Sequence, residues 1–305
     1  MKAPFRHLLL GLLFLTGCRH ALAPSSTAVR APLPPAPLSP RRLADYPWPH
    51  TAAAYDPLAA RLPVQAGYWR VVLPDRSFGQ WLRYLPLLPP GTPVRAVDGA
   101  ALLSGDSPYL AAVVDLDLRR NQECADVILR LRAEYLRWAN REGEIAVPTG
   151  EGVSLSWPQW KRGTRPRQYG GRLRLMAGAA APDGSRASFD RYLASVFAWC
   201  GTYALEQMGR PVALGGLQPG DYFVRGGSPG HAVLVADLAR DAAGHAQALL
   251  LQGYMPAQSA HLISTGPGGP WYELAPGQPL VIPGWGQFHL QDARRFREPN
   301  AGMTH

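Results

Sequence analysis

Cys124 is the cysteine of this sequence best placed to serve as a nucleophile. It opens an apolar, helically periodic stretch, and with Asn121 as N-cap it falls at the third helical position. Free N–H groups in a first turn, together with the helix dipole, favour a thiolate over a thiol. Arg119 and Arg120 just upstream add positive potential, while Glu123 and Asp126 oppose it. Cys200 lies between Trp199 and Gly201, well inside a second helical pattern, where core packing accounts for it. A nucleophilic thiol needs a base within hydrogen-bond reach, so the eight histidines come next. None forms an HxxxH or HxH pair, and neither a metal site nor another cofactor is expected from local motifs.

Other residues carry alternative chemistry. Asp115 and Asp117 alternate with hydrophobic residues on an expected strand. Such a pair can do glycosidase-type acid–base work, or cap a helix, or meet arginine. Arg130 and Glu134 are four apart on the helix that Cys124 opens, as a surface ion pair or as polar groups in a cleft. Trp157, Trp160, Tyr169, Trp271, Tyr272 and Trp285 sit beside Pro, Gly or Arg in expected loops. Loop aromatics stack on sugar rings or peptides, or plug the ends of a sheet. Arg130, Trp160, Arg162 and Trp271 are therefore candidate binding residues. The GPGGP run at 266–270 has no Lys-Ser/Thr partner and reads as a loop, not a phosphate cradle.

The elements that must position these groups follow from the hydrophobic pattern. With 47% hydrophobic and 17% charged residues, the 305-residue chain can bury a core, which excludes a disordered protein. A strand is expected at 68–73, then a short helix capped by Ser77 and ended by Pro86, then an apolar strand at 109–118. A long helix runs from about Asn121 to Asn140, with short strands around 144–148 and 153–157. A second long helix, capped by Ser188, extends to Met208. Strands at 221–225, 231–239, 248–255, 260–264 and 279–283 follow. The DAAGHA turn makes the second and third of these antiparallel. The expected fold is α+β, a C-terminal antiparallel β-meander packed against two long helices, in a single domain over residues 45–297 with a disordered tail at 298–305.

The N-terminus speaks to location. Lys2 and Arg6 precede the apolar stretch Leu8–Leu15, too short for a permanent bilayer span but suited to a secretory signal over residues 1–17. The Leu15-Thr16-Gly17-Cys18 ending resembles the bacterial lipobox, which implies lipidation of Cys18 and attachment to a membrane leaflet. Arg19 stands where an Asp resembles an inner-membrane retention mark, so the expected address is the outer membrane of a Gram-negative envelope. Residues 18–44, including APLPPAPLSP, read as a Pro/Ala-rich tether. Cleavage lowers the formal charge from +9 to +7 by removing Lys2 and Arg6. No basic block with interleaved aromatics occurs, so nucleic acid is not an expected partner.

Four strings in order, SFGQWLRYLPL (77–87), ECADVILRLRAEYL (123–136), PGDYF…GGSPGHAVLVAD (219–237) and LLLQGYMPAQSAHLI (249–263), resemble a bacterial lipoprotein family known as domain of unknown function 4846. That resemblance implies no catalytic residues. More locally, PGD followed by a strand opening with His is similar to papain-like cell-wall cysteine peptidases and amidases. In those enzymes a Cys at a helix start faces the His, and a polar residue on the next strand orients it. By position this implies Cys124 as nucleophile and His231 as base, with Gln252, Asp237 or His261 as the orienting group. Cys124 precedes His231 by 107 residues, a longer separation than those enzymes carry. The expected function is a thiol hydrolase or amidase of peptidoglycan or another envelope polymer. The alternative is a non-catalytic lipoprotein that binds glycan, peptide or a partner protein through Arg- and Trp-rich loops.

Overall fold

A computed structural model describes residues 43–298. The signal segment, Cys18, nearly all of the tether and the tail beyond Glu298 lie outside the described residues. The chain begins with α1 (Leu58–Arg61), β1 (Tyr68–Arg70), α2 (Phe78–Arg83), β2 (Val94–Arg95), β3 (Ala101–Leu103) and β4 (Leu110–Val113). Next come α3 (Cys124–Trp138), β5 (Ala146–Pro148), β6 (Ser154–Ser156), α4 (Trp157–Lys161), β7 (Arg165–Tyr169) and β8 (Arg172–Met176). Helices α5 (Arg186–Trp199) and α6 (Thr202–Met208) precede β9 (Gly209–Pro211), β10 (Tyr222–Arg225), β11 (His231–Asp241) and β12 (Ala246–Gln252). The series closes with β13 (His261–Ile263), β14 (Trp271–Leu274), β15 (Leu280–Ile282), β16 (Gly286–Phe288) and β17 (Ala293–Phe296).

The result is a mixed α/β fold around one large antiparallel sheet, in the order β4-β13-β12-β11-β10-β17-β9, with β1 also on β11 and β14 also on β12. Strands β10 to β13 supply four of the five expected meander strands; the piece expected at 279–283 is β15, which pairs only with β16 in a separate hairpin. β11 is buried on both faces, which is why it reads as a continuous apolar run. One face carries Ala232, Leu234, Leu249 and Leu251 into a core shared with α2 and α3. The other carries Val233, Val235, Ala248 and Leu250 into a core shared with Leu280, Ile282 and Phe288 of the β15–β16 hairpin. Burial of each such leucine or isoleucine contributes roughly 1.5–3 kcal/mol.

Three expectations need correction. α3 begins at Cys124, with Glu123 as its N-cap, because Asn121 takes a left-handed turn at φ 62°. The second long helix is capped by Ser185, whose side chain accepts the Ser188 N–H at 3.2 Å, and it breaks at Cys200 and Gly201, both in extended conformation. Interior glycine costs a helix about 1 kcal/mol, and this one marks the break. Finally, only one of the two longest helices lies on the sheet: α3 packs on β11 and β12, whereas α5 packs chiefly against α3 and α4. Ser77 does cap α2, accepting the Gln80 N–H at 3.2 Å.

Candidate functional site

The first turn of α3 is closed by a capping box in which Asp126 Oδ2 accepts the Glu123 N–H at 3.0 Å. Room for that turn comes from Gly253, which follows β12. A Cβ there would lie 2.7 Å from Val127 Cγ2 and 2.9 Å from the Glu123 carbonyl oxygen. The β11–β12 ladder ends where Leu234 faces Leu251. On the β10 side, the Val235 N–H donates to the Asp221 carbonyl at 2.8 Å, so by alternation the Ala232 N–H points the other way, past the end of β12. The backbone groups of Ala232 and Ala125 lie close enough to the Cys124 sulfur to favour its thiolate. The thiol therefore rests on the peptide that joins His231 to Ala232.

His231, Gln252 and His261 stand on three neighbouring strands and form one hydrogen-bonded chain. Its far end settles the proton positions. His261 Nδ1 lies 2.9 Å from the Ser259 carbonyl, which can only accept, so Nδ1 carries the hydrogen and Nε2 is an acceptor. The Gln252 amide nitrogen donates to that Nε2 at 3.2 Å. Its oxygen therefore faces His231 and accepts from Nε2 at 2.8 Å. This leaves Nδ1 of His231 as the basic nitrogen.

Burial sets the charge states. It pushes the Cys124 thiol up to about 11, against the two backbone hydrogen bonds that favour the thiolate, and the carboxylates of Asp126 and Glu123 act in the same direction as burial. The helix start therefore does not produce the resting thiolate expected from position, and Arg119 is engaged with Asp117 and Asp190. Burial likewise lowers His231 and His261, each to about 4. At neutral pH the thiol and both imidazoles are uncharged.

A groove of about 840 Å³ runs beside this chain, with Gln252, Tyr254, His261, Tyr109, Tyr272 and Trp285 among its lining residues. Tyr254 and Trp285 also pack on the His231 ring, with centroids 5.2 and 5.1 Å away. The Tyr254 hydroxyl donates to the Gly284 carbonyl at 2.5 Å, tying the end of β12 to the β15–β16 turn. His231 and Cys124 are 2% and 7% exposed, and neither is among the residues that line the groove. Sequence reasoning missed Gly253, Tyr254 and Tyr109. The Gln-Gly-Tyr string closing an apolar strand was the available signal for the first two.

A model of the family described as domain of unknown function (4846) matches residues 58–295. The chain belongs to that family. The matched span of this family member holds Cys124 and the whole His231–Gln252–His261 chain. No curated protein and no solved structure matches it.

The remaining sequence candidates lie elsewhere. Asp237 follows a bulge in β11 and accepts from Arg70 Nε at 2.6 Å, Arg83 Nε at 2.9 Å and the Leu238 N–H. Arg130 does pair with Glu134, Nε to Oε1 at 3.9 Å, but in the core and not on the surface; it also donates to Gln122 Oε1 and the Asp117 carbonyl, each at 2.6 Å, and Arg186 holds Glu134 as well. Asp115 anchors the Thr51 N–H and hydroxyl, both at 3.0 Å, and Asp117 pairs with Arg130 and Arg119, so the two carboxylates serve different elements. Trp157, Trp160 and Trp271 are buried in packing roles, with Trp271 Nε1 donating to the Pro63 carbonyl at 2.8 Å. Arg162 is exposed after α4. Among the described residues, no group of three or more His, Cys, Asp or Glu is placed to hold a metal ion.

Proposed function

We propose that this protein is a thiol hydrolase or amidase of a cell-envelope polymer, with Cys124 as nucleophile, His231 as base and Gln252 as the residue that orients it. What supports the reading is that the backbone of Ala232, the residue after His231, lies close enough to the Cys124 sulfur to favour its thiolate, while Gln252 engages His231 Nε2 and leaves Nδ1 as the basic nitrogen. A cysteine at a helix start, a histidine opening a strand and a polar residue on the next strand make the papain-like order. In the proposed reaction, the sulfur attacks an amide carbonyl carbon as its proton passes to His231 Nδ1. The C–N bond then breaks, the amine leaves with that proton, and water hydrolyses the thioester. Because both groups are neutral at rest, the thiol ionises during attack, once substrate has displaced Tyr254 and Trp285.

Lipidation of Cys18 would hold the enzyme at the outer membrane, within reach of peptidoglycan or another envelope polymer. Two experiments test the reading. Incubation of the purified chain with peptidoglycan fragments should release new amino groups, and Cys124→Ala should abolish that release while leaving the fold intact. Growth with a labelled fatty acid should mark the protein, and Cys18→Ser should abolish that label.

The burial of Cys124 and His231 favours a second reading, a non-catalytic lipoprotein that binds glycan, peptide or a partner in its aromatic groove. Under that reading the fragments bind, Cys124→Ala binds them equally well, and neither protein releases amines.

A further inference from the structure

The β7–β8 hairpin carries a face that the groove does not use. Alternation sends Pro166, Gln168, Leu173 and Leu175 to one side and Arg165, Arg167, Tyr169, Arg172, Arg174 and Met176 to the other. Leu173 is buried and Leu175 packs on the core, so this side faces the domain, with Gln168 near the hairpin tip left exposed. Arg167, Tyr169, Arg172, Arg174 and Met176 are exposed. Arg165, at the base, is held inward over the Trp160 ring at 4.0 Å and donates to the Trp160 carbonyl at 2.7 Å.

The outward face is built against its own stability. Arg167 stands directly opposite Arg174, and Tyr169 opposite Arg172, while neither strand contains an acid. Like charges directly opposite destabilise a strand pair. The acids that reach the hairpin from outside are occupied. Glu151 accepts the Leu173 N–H at 2.8 Å, and Asp183 is held by Arg191 at 2.9 Å and by the Ser185 N–H. Three guanidinium groups therefore project without a carboxylate partner among the described residues, and two amphipathic or apolar side chains, Tyr169 and Met176, are interleaved with them.

We propose that this face docks the protein on an anionic lipid bilayer. The guanidinium forks match headgroup phosphates, and their attraction relieves the Arg167–Arg174 opposition. Tyr169 and Met176 favour lipid over a soluble polyanion, because the bilayer interface takes up aromatic and apolar side chains that a soluble chain would leave in water. The contact is independent of the groove and its chemistry.

The test uses the mature chain from residue 18 onward carrying Cys18→Ser, so that neither the apolar signal segment nor an acyl chain contributes, and vesicles of phosphatidylcholine with or without phosphatidylglycerol. Co-sedimentation should be strong only with phosphatidylglycerol and should fall as salt is raised. R167Q/R172Q/R174Q should weaken it by about 100-fold, from roughly fivefold per arginine. Arg174→Gln alone should cost about fivefold. All three side chains are exposed, so the thermal midpoint should not move; Arg174→Gln serves as the test if the triple variant fails to fold. Tyr169→Ser should weaken vesicle binding but not binding to dextran sulfate. Equal binding to both vesicle types, equal binding by the arginine variants, or no effect of Tyr169→Ser on vesicles would overturn the proposal.

Discussion

The side-chain oxygen of Gln252 accepts from His231 Nε2 at 2.8 Å, leaving Nδ1 as the nitrogen that can receive a proton. The amide is held in that sense by His261, which is itself fixed by the Ser259 carbonyl. The imidazole on β11 thus takes its tautomer from a backbone group two strands away.

Replacing Gln252 tests this arrangement. Gln252→Leu leaves the His231 N–H and the His261 acceptor buried without partners, at about 1–3 kcal/mol each. It should also lower amine release on the order of 100-fold, because the ring loses its preferred tautomer. Gln252→Glu keeps an acceptor for His231 and adds negative charge. Its activity should recover in part, with the acid limb of the pH profile moved to higher pH. A merely structural role would leave that limb in place.

The buried imidazoles make stability sensitive to acid. Unfolded histidines take up protons near pH 6.5, whereas His231 and His261 resist until about 4. Their contribution is therefore full above pH 6.5 and is lost as pH falls toward 4, by about 3 kcal/mol per ring at most. Asp126, pushed up to about 8 by burial, acts in the opposite sense: its contribution is full below the ordinary carboxylate range and is lost as pH rises through 8. The informative comparison is between proteins. Urea unfolding at pH 7 and pH 4.5 should show a smaller acid penalty in His261→Gln than in the parent chain, and an equal penalty would remove His261 from this account.

Tyr254 packs on the His231 ring and interacts electrostatically with Cys124, so its loosening is expected to expose the thiol. In a Cys18→Ser, Cys200→Ala background, iodoacetamide should modify Cys124 slowly at pH 7 and faster as pH rises toward 11. Tyr254→Phe removes the bond to Gly284 and should raise the rate at every pH without moving the midpoint. Modification at pH 7 faster than that of free cysteine would mean a resting thiolate, contrary to the effect of burial.

Gly253 positions the helix that carries the thiol. Gly253→Ala sets a methyl group 2.7 Å from Val127 and should destabilise the fold by about 1–3 kcal/mol. Amine release per folded molecule should also fall, because the first turn of α3 must shift away from Ala232. Gly143→Ala, where an added Cβ meets nothing within 4 Å, should change neither quantity. Thermal unfolding and activity measured on both variants separate the two effects.

What could be read from the sequence is what depends on near neighbours. The apolar runs at 231–239 and 248–255 are β11 and β12 because their burial pattern is local, and Ser77 caps α2 because its partner is three residues away. The proline-glycine-aspartate turn and the strand after it carry the resemblance that implies His231. The choice among Gln252, Asp237 and His261 was not available locally. A bulge after Val235 turns Asp237 toward Arg70 and Arg83, and strand register sets His261 opposite Gln252. The charge of Cys124 was likewise decided by tertiary structure. A helix start acts within one turn and favours a thiolate, whereas burial sums over neighbours from β11 and the end of β12, and for this thiol burial is the larger effect.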